Sequence, residues 1–348
     1  MDSNVRAGST PARGTLKPAL QKAGFFVSLF SRYICFHHML NFEVVSLIEL
    51  SSTSAILTSQ NAHTAAQQLY SSVYLTLRYF EFFEHALFSE EVHKYVSVKS
   101  SRQEVLAVLN ALYEQGDVVC KEGLWAMHMA HIELRLKHID RNRAMIKAAK
   151  FVGVFIHRFP YVRGVYLSGS LSKHGVTGKD DDLDFFIIAK AGRVWAAKLF
   201  LIAFKKIFLL NSEKYFCINL LMSEEELILK KRNIYIATEA ASLVPLANAP
   251  LLDTFLNANS WIQEYFPNQE LISKVVVRRT IKPLEAIIET IAGRALERKA
   301  HNMFLKHVEQ QRKASGYYDT SEGVSAYFPE SVEEQLLAFI AQKSDSYE

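Results

Sequence analysis

The chain has few cysteines, no long uninterrupted apolar run and no excess of charge of one sign. Three cysteines, Cys35, Cys120 and Cys217, are scattered through 348 residues. An odd, widely spaced set excludes a disulfide framework and lacks the paired spacing of a structural zinc site; it fits a reducing, cytoplasmic setting. No apolar run reaches the roughly 20 residues of a membrane-spanning helix. The FFVSLF run near the start is not followed promptly by a small-residue cleavage site, so it does not read as a secretory leader. Forty basic residues oppose 36 acidic ones, a net charge of +4. That balance lacks the electrostatic footprint of a dedicated nucleic-acid binder. Internal repeats and long low-complexity segments are missing too.

What remains is a composition that can build sizeable cores, at a length that suggests two or three domains. Residues 1–20 are basic, small and rich in breakers and read as disordered; the whole of 1–60 is a poorly defined N-terminal segment. Residues 65–128 read as one small domain. Ala65–His85 is helical and carries an aromatic stripe. Ser89–Tyr95 is a short helix. Ser101 and Glu104 form an S-x-x-E capping box ahead of a third helix, whose apolar face is Val105, Val108, Leu109 and Leu112. Gly116 stops it. Val118–Met127 then reads as two short strands. Three helices and a hairpin resemble a winged helix, in which the third helix can enter DNA. The exposed face here (Arg102, Gln103, Asn110, Glu114) is mixed rather than basic, which favours packing or protein contact over DNA reading.

Residues 128–158 form a long helix with Ile132, Leu136, Ile139, Ile146, Ala149, Gly153 and Ile156 near helical spacing. Its basic residues, Arg135 among them, read as a solvated face, and His128 with His131 as a surface or packed pair.

The stretch Val165–Ile188, VYLSGSLSKHGVTGKDDDLDFFII, carries the chemistry. An apolar run breaks at Gly169-Ser170 and resumes with Asp182 and Asp184. On a strand those two carboxylates point one way, and Leu183 and Phe185 the other. Two adjacent carboxylates repel unless a cation lies between them, and hard oxygen ligands favour Mg²⁺ or Mn²⁺. Gly169 allows close backbone approach. Ser170 offers a hydroxyl and an amide at a helix start, where anions are favoured. Lys173 lies where a triphosphate would pass. Phosphate on one side and metal on the other suggest a nucleoside triphosphate.

The LSGS of 167–170 and the DLDF of 182–185, about a dozen residues apart, resemble the DNA polymerase beta-like nucleotidyltransferase superfamily. The resemblance covers about residues 150–245. It implies an α/β (α+β) core with a mixed sheet, Asp182 and Asp184 as catalytic metal ligands, and Gly169, Ser170 and Lys173 as nucleotide-binding residues. It also implies transfer of a nucleoside monophosphate to an acceptor, with release of pyrophosphate. A third carboxylate commonly sits on the family's third strand, read here as Tyr215–Met222. Asn219 occupies that position, and an amide cannot act as a general base; a shifted register would bring Asp180 or Glu239 in instead. The alternative is a nucleotide-binding module of weak or no activity that signals to a partner or DNA through the winged-helix-like domain.

The expected organisation is a winged-helix-like domain at 65–128, a nucleotidyltransferase domain at 129–245 and a helical domain at 246–348. In the last, Ile236–Leu246 reads as a helix leading in, Leu251–Phe266 as another, and Tyr317–Pro329 as a loop between the final helices. Such helices serve base or acceptor binding, or a homo-oligomer contact. The acceptor and the base are not named by any motif.

Overall fold

The structure is a computed structural model; it describes residues 50–176, 178, 182–208, 216–269, 282–311, 317–328 and 330–344. The segment 1–49, and with it the expected disorder at 1–20, lies outside the described residues, as do Asp180 and Asp181. The described residues form a mixed α/β protein with two sheets.

The first part contains α1 (Leu50–Glu81), β1 (Leu87–Phe88), α2 (Ser89–Tyr95), α3 (Arg102–Gln115), β2 (Val119–Lys121) and β3 (Leu124–Ala126). Helix α3 starts where its cap predicts: the Ser101 side chain accepts from Glu104 N, and Glu104 reaches back to Ser101 N at 2.7 Å. It ends at Gly116 in the left-handed region (φ 82°), which costs a glycine least. The three strands pair antiparallel in the order β1-β3-β2.

A long helix, α4 (Met129–His157), leads into the central sheet. Around that sheet run β4 (Val162–Leu167), α5 (Gly169–Ser172), β5 (Asp184–Ala189), α6 (Val194–Phe208), β6 (Cys217–Ser223), α7 (Ile234–Ala241), β7 (Val244–Ala247), α8 (Ala249–Ala258), α9 (Ile262–Tyr265), α10 (Pro283–Gln311), β8 (Tyr317–Asp319), β9 (Val324–Phe328) and α11 (Glu330–Ser344). The sheet has six strands in the order β7-β4-β5-β6-β9-β8. Only the β5–β6 pair within it is parallel.

Strand alternation divides the core into two layers. Val165, Leu167, Phe185 and Ile187 join α4, α6 and α10 residues such as Ala149, Ile156, Trp195 and Phe304. Tyr166, Phe186, Ile188 and Met222 face the opposite way. They pack with α7 and α8, and with Val73, Leu77, Phe80, Val92 and Tyr95 of the first part. The N-terminal helices therefore share a core with the central sheet.

Three expectations are corrected. Residues 244–246, expected to end a helix, lie instead in the edge strand β7. Pro245 cannot donate the hydrogen bond a helix interior requires, and an edge strand tolerates it. The expected helix over 251–266 breaks at Asn259-Ser260, where the buried Asn259 side chain donates to the Leu227 and Phe255 carbonyls instead. The expected loop at 317–329 contains the β8–β9 hairpin, which extends the central sheet beyond β6, so the C-terminal region is not wholly helical.

Helix α10 is fastened to the core by ionic contacts. The Lys282 ammonium donates to the carbonyls of His157, Phe159 and Val162 (2.5, 2.7 and 2.7 Å), covering the end of α4. Glu285 accepts from Tyr161 N and grips Arg163. Glu297 accepts from the Trp195 and Ala196 amides (2.9 and 2.7 Å), placing a carboxylate at the positive end of α6.

Close packing of α4 on β7 depends on Gly153, where a Cβ would lie 2.6 Å from Leu246 Cδ1 and 2.7 Å from Leu246 Cβ. Gly153→Ala is therefore expected to destabilise the protein by about 1–3 kcal/mol in urea unfolding, despite alanine's better helix propensity. An unchanged or raised midpoint would show that this contact does not limit the packing.

Candidate functional site

Between β4 and β5 the chain makes a short turn whose geometry is set by one contact. Ser168 N donates to Asp184 O at 2.9 Å, placing the start of the turn beside the start of β5. Gly169 follows at φ 68°, and any Cβ there would collide with Asp184 Oδ2. A glycine is thus required twice, by its backbone angle and by the carboxylate resting on it. Residues 169–172 form one helical turn, closed by Gly175 N donating to Ser170 O (2.9 Å). Ser170 is exposed; Ser172 is buried and donates to the Gly169 carbonyl at 2.8 Å.

Asp184 opens β5 on the face that continues through Phe186 and Ile188, and Leu183 and Phe185 are buried in the other layer. Asp182 precedes the strand and lies near enough to act on Asp184 electrostatically. Burial pushes the Asp184 carboxyl up to about 6. The negative charges of Asp182 and Glu239 push the same way, while the Cys217 thiol and Lys173 oppose them.

The third strand differs from the sequence expectation. Cys217, not Asn219, stands beside Asp184 in the parallel register. The ladder passes from Phe185↔Ile218 to Phe186↔Leu220, so Asn219 occupies a bulge and is exposed. A bulge shifts side-chain parity, which counting along the strand cannot anticipate. The additional carboxylate near Asp184 is Glu239, supplied by α7. That helix is started by Asn233, whose side chain accepts from Ile236 N at 2.9 Å. Lys173 donates to Glu239 Oε1 at 2.8 Å and to Gly169 O at 3.0 Å, tying α7 to the turn. Tyr79, Tyr95 and Tyr235 lie around Glu239; burial raises the pKa of each hydroxyl, and the Glu239 charge adds to it.

The N-terminal part holds the other side of the turn. Arg135, expected on a solvated face, is buried and makes a bidentate pair with Glu91 (2.7 and 2.8 Å). It also donates to the Ala86 carbonyl, lies 4.9 Å from the Phe88 ring and meets His85 Nε2 at 3.3 Å. His85 lies beside the turn, its Nδ1 3.7 Å from where a Cβ on Gly175 would sit. One signal in the sequence was available: Arg135 is three residues after Ile132 and four before Ile139, on the apolar stripe of α4. Asn142 was missed as well. Its amide donates to Val176 O (3.0 Å) and accepts from Val176 N (3.2 Å), fixing the end of the turn as a strand partner would.

The two expected carboxylates, the glycine turn and Lys173 are thus close together, on a floor shared by the sheet and the N-terminal part. Among the described residues no three or more His, Cys, Asp and Glu side chains gather in a metal-holding group. His128 instead pairs with Glu81 at 3.0 Å. No helix among the described residues is long and apolar enough to cross a membrane.

Burial, reinforced by the Arg135 charge, drives the His85 pKa well below 6.5, so its folded-state ring is neutral. Below pH 6.5 the unfolded chain gains a proton there that the folded protein does not hold, so stability falls as pH falls. The slope from this group approaches about 1.4 kcal/mol per pH unit. His85→Gln is expected to flatten the wild-type decline between pH 6.5 and 5, measured by urea unfolding across that range. An identical slope in both proteins would remove His85 as its source. Compared with models of protein families, with curated proteins and with solved structures, the chain matches none.

Proposed function

We propose that the chain is a metal-dependent nucleotidyltransferase of the DNA polymerase beta-like kind, moving a nucleoside monophosphate from a nucleoside triphosphate to an acceptor and releasing pyrophosphate. The observation that carries this reading is Asp184 resting on Gly169, with Asp182 close by. A glycine–serine turn and a carboxylate pair, twelve to fifteen residues apart in sequence, become one surface. The raised proton affinity of Asp184 marks a place where negative charge is crowded and poorly hydrated, as a cation site requires before its cation arrives.

The donor set fits Mg²⁺ or Mn²⁺: Asp182 and Asp184 offer hard oxygens, and Mg²⁺ commonly takes one or two carboxylates together with substrate phosphates. When bound, the metal would supply neutralisation of phosphate charge and alignment of the reacting oxygens. The protein's own part is positioning. Gly169 leaves room for the Asp184 carboxylate against the backbone, and exposed Ser170 presents its hydroxyl at the same turn. Asp184 is kept in place by the bond from Ser168 N to its carbonyl and by the Cys217 thiol at its carboxyl. Glu239 is the acid placed to accept a proton from an attacking hydroxyl once Lys173 turns from it to phosphate.

A second reading is favoured by a specific observation. Cys217 rather than an acid adjoins Asp184 on β6, and Glu239 is already paired with Lys173. A site so arranged would bind nucleotide without turning it over. Its state would pass to the winged-helix-like N-terminal part through His85 and Arg135, to a partner protein or DNA.

The deciding assay supplies each of the four ribonucleoside triphosphates with Mg²⁺ and a panel of hydroxyl and phosphate acceptors, and measures pyrophosphate. Turnover is expected, falling on the order of a thousandfold in Asp182→Ala and in Asp184→Ala while both remain folded. Retained turnover in either variant would reject the site. Metal-dependent binding without pyrophosphate from any acceptor would select the second reading.

A further inference from the structure

We propose that the outer face of α4 and α6 docks on an anionic membrane surface. Phe151, Val154, Phe155 and Ile207 enter the lipid interface, and Lys147, Lys150, Arg158 and Lys206 meet the headgroups. The inference is independent of the nucleotide reading, since none of these residues belongs to the glycine turn or the carboxylate pair.

The argument begins with the sequence. From Ala144 to Arg158, and again from Val194 to Phe208, the chain contains no aspartate or glutamate. In the first stretch Phe151, Val154 and Phe155 fall on one helix face. Lys147 is four residues before Phe151, and Arg158 four after Val154. A cation therefore stands one turn beyond each end of the apolar stripe, and Lys150 lies at its flank.

The structure leaves that stripe open. The inner side of α4 packs into the core through Ala149, Gly153 and Ile156. On the outer side Phe151 is 79% exposed, Val154 47% and Phe155 37%. The Phe155 ring packs against Phe159 and Phe204 (5.5 and 5.1 Å), and Phe159 meets Phe204 at 5.3 Å, which joins the stripe to α6. One turn on from Phe204, Ile207 is 69% exposed, and Lys206 beside it is exposed as well. Three packed phenylalanines thus support a patch spanning two helices. Scattered single apolar side chains would call for no explanation; a patch does.

The charges around the patch are unanswered. Among the described residues Lys147, Lys150, Arg158 and Lys206 form no ion pair. Lys173, Lys230 and Lys231 elsewhere each hold an acid (2.8, 2.8 and 3.3 Å). A partner for this face has to bring negative charge together with an apolar phase. Protein interfaces are depleted of lysine, which supplies most of the cations here. A nucleic acid would stack on Phe151 but offers Val154 and Ile207 nothing. A bilayer with anionic lipid suits both kinds of side chain. The apolar ones enter the boundary of headgroup and acyl chain, and the long basic ones reach phosphate.

The test is co-flotation of the full chain with vesicles of phosphatidylcholine alone and of phosphatidylcholine mixed with phosphatidylserine, at low and at physiological salt. The wild type is expected to float with the mixed vesicles, less so as salt rises, and not with the neutral ones. Lys147→Gln combined with Lys150→Gln should weaken binding by about thirtyfold. Phe151→Ser combined with Ile207→Ser should weaken it by about tenfold or more. The same charge change at exposed Lys121 and Lys137, away from the patch, should matter much less. All the substituted side chains are exposed, so thermal midpoints should stay at the wild-type value. The inference is overturned if the wild type ignores the mixed vesicles or binds the neutral ones equally well. It is overturned too if either patch variant binds as the wild type does, or if the Lys121 and Lys137 pair loses as much. Self-association abolished by the Phe151 and Ile207 substitutions, without vesicle binding, would assign the face to a second copy instead. Single-stranded RNA binding lost with Lys147 and Lys150, again without vesicle binding, would assign it to nucleic acid.

Discussion

A carboxylate pressed against a backbone is the constraint from which the rest of this structure follows. Asp184 lies on Gly169 where no side chain fits, at the first position of a strand whose next residues are buried. A carboxylate so poorly hydrated is expensive, and the fold surrounds it with partial compensation rather than one full counter-ion. A thiol comes from β6, and a lysine from the turn is shared with Glu239. Each compensating group belongs to a different element, so β4, α5, β5, β6 and α7 must all be placed correctly for the turn to exist. Arrangements of this kind weaken a fold locally and are retained where chemistry needs charge in a dry place.

The same reasoning explains why the N-terminal part is fused to the sheet rather than tethered to it. A turn of four helical residues cannot stabilise itself. Asn142 holds its far end through Val176, and the buried His85 ring packs beside Gly175. His85 is positioned by Arg135, and Arg135 by Glu91. A shared apolar core from Val73 and Phe80 to Tyr166 and Phe186 makes that arrangement rigid. A free DNA-binding module would keep its own core and present a basic helix. Here the apolar residues of the first three helices pack on one another in a cluster that continues into the central sheet, and the exposed face of α3 has mixed charge.

How far the sequence could be read depended on the range of the interaction. Local signals were legible: the Ser101–Glu104 cap, the stop at Gly116 and the alternation of Leu183 and Phe185 with Asp182 and Asp184 are all decided within a few residues. Non-local pairing was not. The strands of residues 317–328 look like tyrosine-rich loop until β6 offers them an edge, and residues 244–246 look like the end of a helix until β4 pairs with them. The site divides in the same way. Gly169, Asp182 and Asp184 could be found because the chain returns quickly. Asn219 was assigned to the wrong place because one bulge changes the parity of β6, and Arg135 was read as solvated because its partner Glu91 is 44 residues away.

Charge pairing then separates residues that are structural from those that remain available. Most buried cations near the turn have an internal acid: Arg135 has Glu91 and Lys173 has Glu239. Both acids thus hold a cation within bonding distance, while the Glu239 charge still acts on Asp184. The charges that act on Asp184 are therefore opposed: Asp182 and Glu239 on one side, Lys173 on the other. A ligand matching that field has to be cationic at one end and anionic at the other. A nucleoside triphosphate carrying a divalent metal has that polarity. A metal ion or a phosphate ion alone would satisfy only half of it, and an uncharged nucleoside neither half.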